Sequence, residues 1–213
     1  MTIEKRQNVS IVLNALVVCF VIYSSIFNLI EDGWGFFQYY TELSNLFGGI
    51  TSAICLYHFI ARKRGKIDKI PGWCTEFKFY AVCCLMLTFL VVVTVLAPEK
   101  GGWYGYRTML FGKTSICTHF LTPLTITASF IFFDTESIEK SPFRAIIPTL
   151  LYAVVAIILN VARLLTGPYF FLHVYEQPIY MTLVWTVVIL GIDAIIVLVI
   201  SKLKKHFTPK IAE

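Results

Sequence analysis

Charge is scarce in this chain. Of its 213 residues only 15% are Asp, Glu, Lys or Arg, while 57% are hydrophobic; a soluble domain ordinarily carries about 25% charged residues. That balance excludes a water-soluble globular domain and makes lipid the natural solvent. Strict polar and apolar alternation is also missing, which excludes the strand pattern of a membrane barrel and leaves helices as the spanning elements. The sequence has no Walker loop, no GxGxxG, no HExxH and no internal repeat, so nothing in it marks a phosphate cradle, a dinucleotide fold or a zincin site. Its six cysteines, Cys19, Cys55, Cys74, Cys83, Cys84 and Cys117, match no zinc or disulfide spacing and read as small buried hydrophobes. No metal and no cofactor is therefore expected.

What is present is a set of long apolar runs. Six are near the length of about 20 residues that a membrane helix needs: Ser10 to Ile30, Tyr40 to Ile60, Phe77 to Ala97, Ile116 to Phe133, Ala145 to Leu165 and Ile179 to Ile200. Their connections are short, so the fold class expected is an all-α membrane protein, one domain over residues 1–213 that forms a compact bundle of six transmembrane helices. The first run follows Lys5 and Arg6 but exceeds the usual apolar core of a signal peptide, and is expected to be retained. With the N-terminus inside, the inner segments hold Lys5, Arg6, Arg62, Lys63, Arg64, Lys66, Lys69, Lys78, Lys140, Arg144, Lys202, Lys204, Lys205 and Lys210. The outer segments hold only Lys100, Arg107 and Lys113. Cytoplasmic loops carry the Lys and Arg excess, so both termini are expected in the cytoplasm and the protein in the cell membrane as a multi-pass chain. The net charge of +5 is then a topology signal that suits anionic lipid and needs no nucleic acid.

Polar groups inside a bilayer are costly, so each one is a functional candidate. On the second helix Thr41, Ser44 and Asn45 fall three and four residues apart, on one face. The fourth brings His119 and Thr122, on one face by the same spacing, and the fifth ends with Asn160 and with Arg163, which is expected to face the bundle interior. All three groups lie toward the outer side. A threonine hydroxyl becomes a nucleophile when a base takes its proton, and histidine is the usual base near neutral pH; Arg163 or the Asn45 amide would stabilise the resulting oxyanion. The bland reading is that Thr and Ser satisfy backbone groups and that Arg163 snorkels to headgroups. Asn14 and Asp193, toward the inner side, are placed to hydrogen-bond between helices. The segment from Pro98 to Ser115, with Trp103, Tyr104, Tyr106 and Phe111 among glycines, reads as an interfacial aromatic belt or as a lid over the outer site.

The stretch Tyr39-Tyr40-Thr41-Glu42-Leu43-Ser44-Asn45-Leu46 resembles the "FTxxSNL" motif of bacterial relatives of the androgen-induced, FAR-type membrane proteins. His119 to Asp134, HFLTPLTITASFIFFD, resembles that family's segment of a His, a nearby Pro and an aromatic-rich end. Gly167-Pro168-Tyr169-Phe170-Phe171-Leu172, after the fifth helix, is similar to its "YPFL" motif, with Phe170 in place of Pro. The family's characterised animal members are multipass threonine hydrolases that cleave fatty acid esters of hydroxy fatty acids. The resemblance implies Thr41 as nucleophile and His119 as base. Asn45, Arg163, Ser44, Asn160 and Tyr169 are the residues expected to bind substrate or oxyanion. Glu42 and Glu176 are the candidates for orienting the imidazole. The partners implied are a lipid or fatty acid ester substrate and the membrane lipids. An acyltransferase using the same residues and a non-catalytic lipid carrier are the alternatives.

Overall fold

The computed structural model describes residues 1–209; of the charges counted above, Lys210 lies outside them. Those residues form an all-helical bundle, 80% helix and without strands. We number the helices α1 (Ile3–Asp32), α2 (Tyr40–Lys63), α3 (Gly72–Glu99), α4 (Trp103–Phe111), α5 (Cys117–Phe133), α6 (Pro142–Val161) and α7 (Ile179–Phe207). Five of them, α1, α2, α3, α6 and α7, are long and apolar enough to cross a membrane. The sixth apolar run becomes α5, which is shorter. Helix α4 was not expected as a helix: Gly102, at φ 59, opens it and Gly112 closes it.

Helix α3 is the centre of the bundle. Phe79, Ala81, Val82, Cys83 and Leu85 are wholly buried on successive faces, which only a helix surrounded by others can achieve. Gly48 and Gly49 let α2 approach on two sides: a Cβ on Gly48 would stand 2.6 Å from the Leu85 side chain of α3, and one on Gly49 would stand 2.7 Å from Val21 of α1. Small residues at helix contacts are how membrane helices gain dispersion energy without a hydrophobic drive between them. The outward faces are apolar instead of charged, with Ile147, Leu151, Val155 and Ile158 on α6 and Leu183, Val187, Ile195 and Val199 on α7 all exposed. Soluble monomers rarely expose apolar patches beyond a few hundred Å²; this surface is that of a multipass membrane protein.

Three stretches wind as π-helix: Val92–Leu96 in α3, and Cys117–Leu121 and Ser129–Phe133 in α5. Proline explains two of them, because Pro98 and Pro123 follow closely and each lacks an N–H and crowds the carbonyl four residues back. Widening the turn relieves that crowding. It also shifts the helical phase. His119 and Thr122, expected on one face, separate: His119 reaches a cavity while Thr122 is wholly buried with its hydroxyl unpartnered.

Helix α6 ends at Val161, short of the Leu165 limit of its apolar run. Arg163 takes the left-handed conformation, φ 58; its N–H donates to the Asn160 carbonyl and the Leu164 N–H to the Leu159 carbonyl. This is the Schellman termination that glycine usually provides. An arginine there costs about 1–2 kcal/mol of backbone strain, offset in part by its guanidinium lying 4.7 Å over the Tyr175 ring.

Candidate functional site

Polar side chains gather at both ends of the bundle. At the end where α2 begins, a cavity of about 660 Å³ is lined by Thr41, Glu42, His119 and Tyr169, with further residues from the end of α1 and the Glu99–Ser115 segment. Thr41 stands in the first turn of α2, where the leading N–H groups have no carbonyl within the helix to bond. The Thr41 N–H and its Oγ1 both lie 3.4 Å from the Tyr169 hydroxyl. Burial pushes the Tyr169 phenol above its ordinary range, the hydrogen bonds to Thr41 drawing it back only partly. Tyr169 therefore keeps its proton at neutral pH and can donate it.

The π-helical start of α5 turns His119 toward the same cavity. Its Nδ1 lies 2.6 Å from the Met109 carbonyl of α4. A carbonyl can only accept, so Nδ1 carries the hydrogen, and in the neutral ring Nε2 then holds the lone pair. The orienting group is thus a backbone oxygen. This corrects the expectation of a carboxylate: Glu42 accepts from Asn28 at 2.9 Å, and Glu176 pairs with His173 at 2.7 Å. The Pro98 to Ser115 segment, expected as belt or lid, forms a wall of the cavity through Met109, Thr114 and Ser115. Trp103 and Tyr104 remain exposed at its start. Thr41 and His119 share this cavity without a direct hydrogen bond between them.

The remaining expected site residues divide into two groups. Ser44 and Asn45 do share a face with Thr41, and both donate to its carbonyl, at 2.9 and 2.8 Å. Asn45 also donates to the Thr118 carbonyl at 3.0 Å, so both hydrogens of its amide are used. It ties α2 to α5 beside the two candidate reacting residues and has no N–H left for an oxyanion. Ser44 bonds Thr88 of α3 at 3.0 Å and acts behind the site. Asn160 and Arg163 lie elsewhere. They line a separate polar pocket of about 390 Å³ with Thr166, His173, Tyr175 and Glu176. Asn160 donates to the Thr166 carbonyl and accepts from the Val174 N–H at 3.3 Å, pinning that loop. Arg163, expected to face the bundle interior, is exposed; the left-handed turn at its own backbone points it away.

An apolar cleft adjoins the cavity. Leu87, Val91, Val92, Trp185 and Ile189 line it, and it shares Thr41, Tyr169 and Leu96 with the polar cavity. Thr41 thus stands at a boundary between polar and apolar space.

At the other end the polar groups close on one another. Lys78 Nζ is 2.7 Å from Asp134 and 3.0 Å from Ser129, and Ser10 donates to the second Asp134 oxygen at 2.5 Å. Lys204 donates to the carbonyls of Phe130 and Asp134 at 2.9 and 2.8 Å. Asn14 donates to the Ser10 carbonyl and to Ser129. It does not pair with Asp193 as expected; Asp193 is wholly buried and both its oxygens lack a partner. The sequence reading takes Lys78 as one of the inner topology charges and gives it no partner, so it misses this cluster. A Lys and an Asp at the two ends of neighbouring apolar runs were the available signal.

None of the six cysteines is bridged; Cys19 is exposed and the others are buried. Among the described residues no three His, Cys, Asp or Glu side chains gather where they could hold a metal ion. Compared with protein-family models, with curated proteins and with solved structures, the chain matches none.

Proposed function

We propose that this protein is a membrane-embedded hydrolase of lipid-like esters, with Thr41 as nucleophile and His119 as base. The observation that carries the reading is the shared cavity, into which Thr41 brings a hydroxyl and His119 a ring whose Nδ1 is already bound to Met109. His119 Nε2 takes the Thr41 proton as Oγ1 attacks the ester carbonyl. The Tyr169 hydroxyl receives the developing oxyanion. The alcohol leaves with the proton from His119, and a water activated by the same nitrogen releases the acid and restores Thr41. Fatty acid esters of hydroxy fatty acids are the substrates implied by the family resemblance. A lipid hydroxyl replacing the water would make the same residues an acyltransferase. The absence of a direct Thr41–His119 hydrogen bond favours a second reading, a non-catalytic lipid-binding protein, although such contacts often tighten only when substrate fills a site.

The decisive experiment is labelling of the purified protein by a covalent serine/threonine-hydrolase probe beside Thr41→Ala and His119→Ala. Labelling of the parent protein alone supports the enzyme, and equal labelling of all three leaves the binding protein. The apolar runs and the Lys and Arg asymmetry frame the proposed topology: six spans, with α5 as the short one, both termini in the cytoplasm and the protein in the cell membrane. In a cysteine-free background, Trp103→Cys is expected to react with an impermeant thiol reagent in intact cells and Lys66→Cys is not. The reverse pattern inverts the topology.

A further inference from the structure

The Thr41 cavity is acidic. Glu31, Asp32, Glu42 and Glu99 line it against a single Lys100. Four of these five charges are exposed at its rim and screened by solvent; Glu42 is different. It is only 7% exposed, its Oε1 accepts from Asn28 at 2.9 Å, and its Oε2 has no partner at all. A carboxylate held away from water with one oxygen unmet and no cation beside it is costly to keep. Oε2 lacks a hydrogen-bond donor, and Glu42 is one of the residues that line the cavity. Tyr39, Tyr169 and Phe170 line the same space, and aromatic faces around an acidic group are the chemistry that receives ammonium ions.

We infer that the cavity selects amphiphiles whose polar end carries an amine or quaternary ammonium, held against Glu42 and the aromatic wall, with the alkyl chain in the adjoining apolar cleft. The inference rests on the Thr41 cavity being a substrate site, and it points to another ester class than the one the family resemblance implies. A fatty acid ester of a hydroxy fatty acid ends in a carboxylate, which would meet Glu42 with like charge. An ester of an ammonium-bearing lipid would instead place its positive end at Glu42, one residue along the helix from Thr41.

The test is binding, read without turnover, so it stands apart from whether Thr41 is ever acylated. Full-length protein in a neutral detergent is titrated with an alkyltrimethylammonium, the alkanol and the alkanoate of one chain length, each below its micellar threshold. Displacement of a spin-labelled alkanol provides the readout. The ammonium compound is expected to bind on the order of tenfold tighter than the alcohol, and the carboxylate weakest. Glu42→Gln should remove the ammonium's advantage and leave alkanol affinity intact, which also shows that the pocket is folded; Glu42→Asp should keep part of it. Asp32→Asn, at the screened rim, should change the order by less than about twofold. Alkanoate binding as tight as the ammonium compound overturns the inference, as does an unchanged preference in Glu42→Gln. Choline or Ca²⁺ competing as well as the amphiphile would also overturn it, by assigning the site to a free cation. Should ester hydrolysis fail while the binding order holds, the hydrolase reading falls and the ammonium site remains.

Discussion

The two polar ends of the bundle are built from similar residues and differ in how far their hydrogen bonds are satisfied. Around Lys78 nearly every polar atom has its partner, with Asn14 Oδ1 the exception within the cluster, and a salt bridge with its hydroxyls and backbone carbonyls fills the space. Around Thr41 the same kinds of side chain leave an open volume, and Glu42 Oε2 and Asn45 Oδ1 go without partners. A closed network fixes one packing of the helices. An open one with unmet groups is incomplete until something else supplies the contacts. Buried polarity in a membrane protein is therefore informative only when its partners are counted.

The largest expected contrast is between activity and stability. Thr41→Ala and His119→Ala should each lower ester turnover by about 10²–10⁴-fold, and the double variant should fall no further, because the two residues act as one unit. Their melting temperatures should stay near that of the parent. Thr41→Ser should keep part of the rate and Thr41→Val none. Near-normal turnover in Thr41→Val would remove the nucleophile and erase the contrast.

At the opposite end the effect should be on folding. Lys78→Met leaves Asp134 buried and unpaired, which costs about 3–5 kcal/mol. Thermal unfolding in detergent should show a large drop for Lys78→Met or Asp134→Leu alone and a smaller one for the pair together. If the double variant is as unstable as the sum of the singles, the network is not a matched unit. Between the ends, Gly48→Val and Gly49→Val test the close helix contacts, and overpacking there should cost about 1–3 kcal/mol without a specific loss of probe labelling. Loss of labelling at unchanged stability would mean that these contacts set the site's geometry instead.

Smallest of all should be Arg163→Gln. Losing the guanidinium over Tyr175 costs about 0.5–1 kcal/mol at an exposed position, and turnover should change by less than about twofold, since Arg163 does not line the Thr41 cavity. A large rate loss in a well-folded Arg163→Gln protein would join the two pockets functionally.

Relations within one helix were legible in advance. Ser44 and Asn45 meet the Thr41 carbonyl because residues three and four apart stack on one face. Relations that depend on helix winding were not: the π turn before Pro123 parts His119 from Thr122, and the left-handed Arg163 turns out of the bundle.

By itself the sequence determined the chemical class of the molecule: a lipid-solvated, all-helical chain whose long apolar runs must satisfy their own backbones, with Thr41 and His119 placed toward one end. The tertiary structure alone decided which polar groups meet. It paired Lys78 with Asp134 across 56 residues, left Asp193 and Glu42 Oε2 unmet, and gave His119 the Met109 carbonyl as its partner. The physical reason is that a helical period fixes neighbours only along one helix. Contacts between helices depend on their phase and approach, set here by prolines and glycines, and a backbone carbonyl that orients a side chain is present at every residue and so leaves no mark in the sequence.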